Sequence, residues 1–341
     1  METPIILSKY RQAIADEMGS QLEPCISPLY AMLRYHLGWE DAHGNRIETP
    51  SGKALRPALC LMACEALSGG FERALPAAAA VELLHNFSLI HDDVQDDDRE
   101  RRGRPTVWAL WGKPQAINAG TAMRILAGMS IQRMAERGAN PELVLRLQCL
   151  LDETTLLLLE GQYLDIYFES CQRVGLDEYL RMIERKTVAL IACSLELGGM
   201  IASDDPCVLA TLRRCGEQLG FAFQVQDDLL GIWGDERLTG KPVGADIRRK
   251  KKSFPIVLAW EQAGEADRQE LASIYSQPEV SESDLGRVME ILDHAGSRRR
   301  GRTLVQGYSA QAVVDFESLG PPAWAHAAFR ELVTFLTERD H

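Results

Sequence analysis

Apolar residues recur at helical spacing along most of the chain. Pro76 to His91 is rich in strong helix formers and apolar almost all round, which predicts a helix buried inside a larger bundle. Between Glu142 and Tyr167, Leu143, Leu147, Leu150, Leu151, Thr154, Leu158 and Gly161 follow one another mostly at steps of three and four, predicting a second long helix. Leu285 to Leu292 and Ala323 to Leu336 read as amphipathic helices that close the bundle. No stretch alternates steadily into a tight Asn-Gly or Asp-Gly turn, so strands are not expected. Breaks fall at Asp41–Gly52, Gly103–Pro105, Gly138–Pro141, Ser203–Pro206, Gly231–Gly244 and Ser276–Ser283, where Gly, Pro and polar clusters stop helices. None is long or of low complexity, and the expectation is one large all-α domain over residues 1–341.

Composition agrees with a buried core and narrows the partners. The 341 residues are 46% hydrophobic and 25% charged, which excludes a disordered chain. The formal charge of −12 argues against a nucleic-acid surface, which would need cations to neutralise phosphates. That charge is concentrated: residues 92–100 and 227–236, nineteen in all, carry −9 of it, and the rest of the chain is nearly balanced. Met1 to Tyr10 lacks the basic and apolar regions of a secretory signal, and no apolar run is long enough to span a bilayer. Eight scattered cysteines without a C-x-x-C pair read as small core residues in a reducing cytoplasm.

The acidic segments carry the chemistry. Asp92 and Asp96 lie four apart at the end of the first predicted helix, so they face the same way, with Asp93 one step round. Such carboxylates repel one another, and the negative end of the helix dipole adds to the penalty. A cation relieves both, and clustered carboxylate oxygens suit Mg²⁺, which shares its shell with substrate phosphates. Arg101 and Arg102 follow; Gly103 and Pro105 are expected to bend the chain and let the guanidiniums swing back toward the acids. Carboxylate-held metal with an arginine fork suits a diphosphate, whereas a solvated acidic turn is the plainer alternative. Ser88-Leu-Ile-His-Asp-Asp93 is echoed by Gln224-Val-Gln-Asp-Asp228, an apolar helix again running into paired acids, and a basic run, Arg248 to Lys252, follows.

These residues resemble the trans-isoprenyl diphosphate synthases, whose first acidic motif is D-D-x-x-D-x-x-x-x-R-R. Asp92, Asp93, Asp96, Arg101 and Arg102 fit it without a gap. Other markers occur in order: Gly52-Lys53-x-x-Arg56-Pro57, His85, Gly161-Gln162, Lys186-Thr187, Phe223-Gln224, Lys241, Asp246 and Lys251. The resemblance implies an all-α helical bundle of the isoprenoid synthase type around a central apolar cavity. It implies condensation of isopentenyl diphosphate with an allylic diphosphate by a cytoplasmic, Mg²⁺-dependent homodimer. Asp92, Asp93, Asp96, Asp227 and Asp228 would be the metal set, and Arg101, Lys186 and Lys241 would clamp the departing diphosphate. Lys53, Arg56, His85 and Arg102 match the isopentenyl diphosphate site; Thr187, Gln162, Gln224 and Lys251 would support substrate binding. For His85 the plainer alternative is a buried histidine satisfied by a backbone carbonyl.

One departure stands out. The second motif ordinarily ends in a third carboxylate, but Gly231 holds that place here; Asp235 would substitute only if the helix ran on past Gly231 and Gly234. Product length is expected to depend on side chains a turn or more before Asp92, since one turn rises 5.4 Å, close to one isoprene unit. Bulky Phe87 beside small Ser88 resembles the geranylgeranyl type, and the absence of an insertion between Asp93 and Asp96 leans the same way; farnesyl is the alternative. A terpene cyclase would pair the first motif with an N-D-x-x-S-x-x-x-E type motif, absent here, and a non-catalytic subunit would usually have lost the aspartates.

Overall fold

The computed structural model describes residues 3–47, 52, 54–235 and 242–337. They form helices joined by short turns, in the order α1 (Ile5–Lys9), α2 (Arg11–Leu22), α3 (Pro28–His36), α4 (Leu55–Ser68), α5 (Leu75–Gln95), α6 (Val107–Trp111), α7 (Lys113–Glu136), α8 (Pro141–Ser170) and α9 (Leu176–Ile183). After a π-helical segment, Glu184–Val188, come α10 (Ala189–Ala202), α11 (Pro206–Trp233), α12 (Ala245–Arg248), α13 (Phe254–Gln262), α14 (Glu265–Ser276), α15 (Glu282–His294), α16 (Ser297–Ser318) and α17 (Ala323–Thr337). The all-α expectation holds. Among the described residues the only ladder is a hairpin of two-residue strands, β1 (Glu100–Arg101) and β2 (Arg104–Pro105).

The chain divides into two compact units. The first comprises residues 3–155 and 193–212. Its central helix is α5, which packs against α2, α4 and α7. Pro76 opens α5 at a position where no helical N–H is lost, and Ala77 to Ala80 are wholly buried, so neighbouring backbones approach closely. On α4, every residue from Pro57 to Cys64 is buried, as an all-round apolar helix requires.

Of the described residues, the second unit comprises 156–192, 213–235 and 242–337. One of its cores joins Tyr179, Ile183, Val225, Leu229, Phe254 and Val257; another joins Ile232, Ile247, Trp260, Leu271, Val288 and Leu292. Phe316 of α16 stacks on Phe329 of α17 with ring centres 4.3 Å apart. Ser281 caps α15 by accepting from the Asp284 N–H, and Asp284 returns the bond to the Ser281 N–H.

Candidate active site

In the first unit, α5 ends where the acids begin. Asp96 caps the helix, its N–H donating to the Asp92 carbonyl at 2.8 Å, so Asp92 and Asp96 stand one turn apart at the negative pole of a 21-residue helix. Asp92 is half-buried and Asp96 exposed. The chain then reverses at Asp97, whose φ of 54° is left-handed, and the Asp98 N–H bonds the Asp93 carbonyl at 3.0 Å. The reversal therefore precedes Gly103. Gly103 and Arg102 instead close the hairpin: both have positive φ, 71° and 54°, as a two-residue turn between right-twisted strands demands. Sequence reading passed over this hairpin because its turn is Arg-Gly and its strands are too short to alternate.

The hairpin is anchored from outside. Arg104 donates to the carbonyls of Tyr35 and Glu40, lies 4.1 Å over the Tyr35 ring, and Tyr35 Oη donates to the Pro105 carbonyl. Thr106 Oγ1 and Trp108 Nε1 both donate to the Asp98 carbonyl. So fixed, β1 aims Arg101 back at α5, where its Nε donates to Asp93 Oδ1 at 2.7 Å. Asp93 is 1% exposed, and burial, opposed by the Arg101 charge, raises its carboxyl to about 6. Asp93 Oδ1 thus holds the Arg101 guanidinium, while Asp93 Oδ2 is buried without a hydrogen-bond partner.

Arg56 Nη1 lies 3.3 Å from His85 Nε2, and the Arg102 guanidinium lies against Gly52. Burial lowers the Arg56 guanidinium to about 10 and the His85 imidazole well below its usual range, the latter helped by Arg56, Arg102 and Arg101. Beside them, a cavity of about 290 Å³ is lined by His36, Asp93, Arg101, Arg102 and Arg104 among others. His36 gave no signal in the sequence. Burial and the Arg101 and Arg102 charges push it down to about 3, so it is neutral in the folded chain. A histidine depressed on folding favours the unfolded chain once that state protonates, so stability is intact above about pH 6.5 and falls as pH drops toward 3. Urea titrations at pH 7 and pH 5 should show the loss, and His36→Gln should reduce it relative to the parent; an unchanged pH dependence in His36→Gln would refute this account.

In the second unit, the π-helical segment carries Lys186 and Thr187. A π turn is rare and re-aims the side chains it contains. The facing helix comes close there: a Cβ on Gly161 would stand 2.3 Å from the Lys186 backbone nitrogen, so α8 and this segment touch backbone to backbone. Lys186 Nζ reaches Asp165, and Thr187 Oγ1 donates to Gln224 Oε1 at 2.7 Å. Gln224 in turn donates to Asp228 Oδ1 at 2.9 Å, while Asp228 Oδ2 accepts from Tyr179 Oη at 2.6 Å and from the Phe254 N–H at 2.7 Å. Both Asp228 oxygens are thus occupied, and burial raises this carboxyl to about 7. Asp228 ties α9, α11 and α13 together; Asp227, its neighbour, is exposed. Tyr179 and Phe254 could not have been paired with Asp228 from sequence, being 49 and 26 residues away.

Gln162 is buried at 5% exposure on α8, and Lys251 is exposed in the turn after α12. Lys53 and Lys241 lie outside the described residues. Phe87 is 5% exposed and meets His91 edge to face at 4.8 Å; Ser88 Oγ donates to the His85 carbonyl. Among the described residues no three acidic, histidine or cysteine side chains converge into a ready-made metal cage. No helix among them is long and apolar enough to cross a membrane.

Residues 41–292 match the polyprenyl synthetase family. The chain is 42% identical over 297 residues to a geranylgeranyl diphosphate synthase of Mycobacterium tuberculosis, covering 85% of this chain and 82% of that protein. It is 38% identical over 326 residues to a (2E,6E)-farnesyl diphosphate synthase of the same organism, covering 95% and 89%. Its structure resembles a polyprenyl synthetase from Streptomyces coelicolor with a TM-score of 0.90 at 33% identity, covering 98% and 99% of the two chains. A geranylgeranyl pyrophosphate synthetase from Pyrococcus horikoshii gives 0.87 at 32% identity, covering 98% and 97%. Together with the acidic end of α5, the returning arginine and the lysine-bearing π segment, these likenesses show that the chain belongs to the polyprenyl synthetase family and is a prenyl diphosphate synthase.

Proposed function

We propose that the protein joins isopentenyl diphosphate to allylic diphosphates with the help of Mg²⁺ and releases geranylgeranyl diphosphate as its main product. The carrying observation is the end of α5, where Asp92 and Asp96 stand one turn apart and Asp93 holds Arg101 beside them. The metal fits this donor set. All the acids concerned offer hard oxygen, which suits Mg²⁺, an ion that shares its shell with substrate phosphates. When bound, Mg²⁺ would neutralise the negative charge that builds on the departing diphosphate. On α5, Asp92 and Asp96 would hold it; on α11, Asp227 is the corresponding carboxylate.

The protein's own part is electrostatic. Ionisation of the allylic diphosphate separates an anion from an allylic cation, so groups aimed at the anion favour the transition state over the ground state. Arg101, fixed by Asp93, and Lys186, carried by the π segment, serve this role with Lys241. Arg56, Arg102, His85 and Lys53 would seat the second diphosphate, His85 staying neutral between arginines so that it adds a hydrogen bond without repulsion. Thr187, Gln224, Gln162 and Lys251 support these groups.

Exposed apolar side chains support a homodimer. On α7, Ile117, Ile125 and Met129 are exposed, and on α8 so are Leu156, Leu159, Tyr163, Ile166 and Tyr167. A second copy covering them would remove large apolar surface from water. We retain residues 1–341 as one catalytic domain in this reading, since the family match runs through residues 41–292 without a break.

The test is turnover by the purified chain with Mg²⁺, isopentenyl diphosphate and each allylic primer, with products separated by length. Farnesyl diphosphate as the end product would favour the second reading, which the 38% identical farnesyl relative supports. A cyclised hydrocarbon, or no product without a second protein, would refute the proposal. Phe87→Ala removes the wall expected to stop the growing tail and should lengthen the main product by about one isoprene unit or more, since one turn of α5 matches one unit. The cost in stability is about 3–5 kcal/mol for a buried Phe→Ala, so Phe87→Leu provides a milder companion. Unchanged product lengths in both variants would remove Phe87 as the wall.

A further inference from the structure

His91 has no part in the reaction proposed above, yet its ring is fixed on three sides. It stands four residues after Phe87 on α5, so the two rings share a face of the helix. Their centres are 4.8 Å apart at an interplanar angle of 64°, the edge-to-face arrangement in which the positive rim of one ring meets the negative face of the other.

The other two sides are supplied by α7. Gly120 comes so near α5 that a Cβ there would stand 2.3 Å from His91 Cδ2 and 2.5 Å from His91 Nε2. The imidazole therefore occupies the space of the missing side chain. The carbonyl of Ile117, three residues earlier and so on the same side of α7, lies 3.2 Å from His91 Nε2; a carbonyl only accepts, so that nitrogen is the donor. Gly120 is buried and has no left-handed φ that would demand glycine. Glycine inside a helix is unfavourable relative to alanine, and room for the His91 ring is what it supplies here.

We propose that His91, seated in the Gly120 slot, is a positioning residue for Phe87 and thereby a determinant of product length. This rests on the prenyl diphosphate reading above, with Phe87 as the wall that stops the growing tail. A phenyl ring pinned against a fixed neighbour stops the tail sharply, whereas one free to swing lets a longer tail pass. An aromatic pair of this geometry favours one ring orientation by about two- to tenfold.

The test is product length from the full chain with Mg²⁺, isopentenyl diphosphate and an allylic primer. His91→Ala should raise the ratio of the next longer product to the main one by about two- to tenfold, while the first condensation on the shortest primer keeps the parent's rate. Gly120→Ala should act in the same direction from α7: its methyl group closes the slot, and the half-buried imidazole moves out more easily than either helix. Phe87→Ala combined with His91→Ala should give the product distribution of Phe87→Ala alone, because His91 acts only through that ring. A general loosening of α5 would instead slow every primer without moving the ratio. If Phe87→Ala lengthens the product while His91→Ala and Gly120→Ala both leave the ratio unchanged, the inference is overturned and the wall stands. A double variant that lengthens the product beyond Phe87→Ala overturns it as well. Unchanged length in Phe87→Ala removes the wall and this inference with it, and absence of any prenyl diphosphate from the parent chain removes the reading beneath both.

Discussion

Asp92→Asn and Asp96→Asn are each expected to lower kcat/KM by on the order of 10²–10³, the effect of removing one group that stabilises developing charge in a water-poor site. The two carboxylates stand at the C-terminal end of α5, where the helix dipole already disfavours negative charge. On the proposed reading, their value would be realised when a cation and a departing diphosphate are present. Asp96 is exposed, so its loss should leave stability within about 0.5 kcal/mol of the parent, as for other surface substitutions. Steady-state kinetics beside denaturant unfolding separates the two effects. Loss of activity only in proportion to a loss of stability would place these acids in the scaffold rather than in the chemistry, and full activity after chelation would exclude the metal.

Gly161→Ala should be among the most damaging changes of a single methyl group. The added carbon would lie 2.3 Å from the Lys186 nitrogen and 2.7 Å from its Cα, both backbone atoms that cannot rotate away. Either α8 or the π-helical segment must shift. Overpacking of this kind costs about 1–3 kcal/mol and sometimes more, which for a chain of this length corresponds to a fall in Tm of about 1–4 °C. The shift also carries Lys186 and Thr187 with it, and a displacement of about 1 Å in a positioning group costs on the order of 10² in rate. Thermal unfolding together with kcat would show both losses. Parent-like Tm and turnover would mean that the contact is not the reason for glycine here.

The helices were legible because their apolar spacing is local. Pro76 to His91 lies inside α5 and Glu142 to Tyr167 inside α8, each extending only a few residues further. The breaks at Gly138–Pro141 and Ser203–Pro206 fall where α7 gives way to α8 and α10 to α11. The hairpin at residues 100–105 was not legible, since its two-residue strands carry no period and are held by Tyr35 and Arg104 rather than by their own pattern. Nor was the π turn: Lys186-Thr187 looks like any helix surface until Gly161 is packed against it.

The sequence by itself determined the helical class, the family and the identity of the acids, because helix periodicity and the spacing of a motif along one helix are properties of neighbouring residues. What each acid does depended on atoms distant in the chain. Asp92 and Asp93 are adjacent, yet one stands at the helix end while the other is buried on Arg101; Asp227 and Asp228 divide in the same way, with Tyr179 and Phe254 claiming the second. The missing carboxylate at Gly231 is not made up by Asp235, since α11 stops at Trp233. Gly120 reads as an unfavourable glycine inside α7, and only the packing of α5 beside it sets the His91 ring in its space. Burial and hydrogen-bond saturation decide whether a carboxylate serves the scaffold or faces substrate, and both are fixed by the packing of segments far apart in the chain.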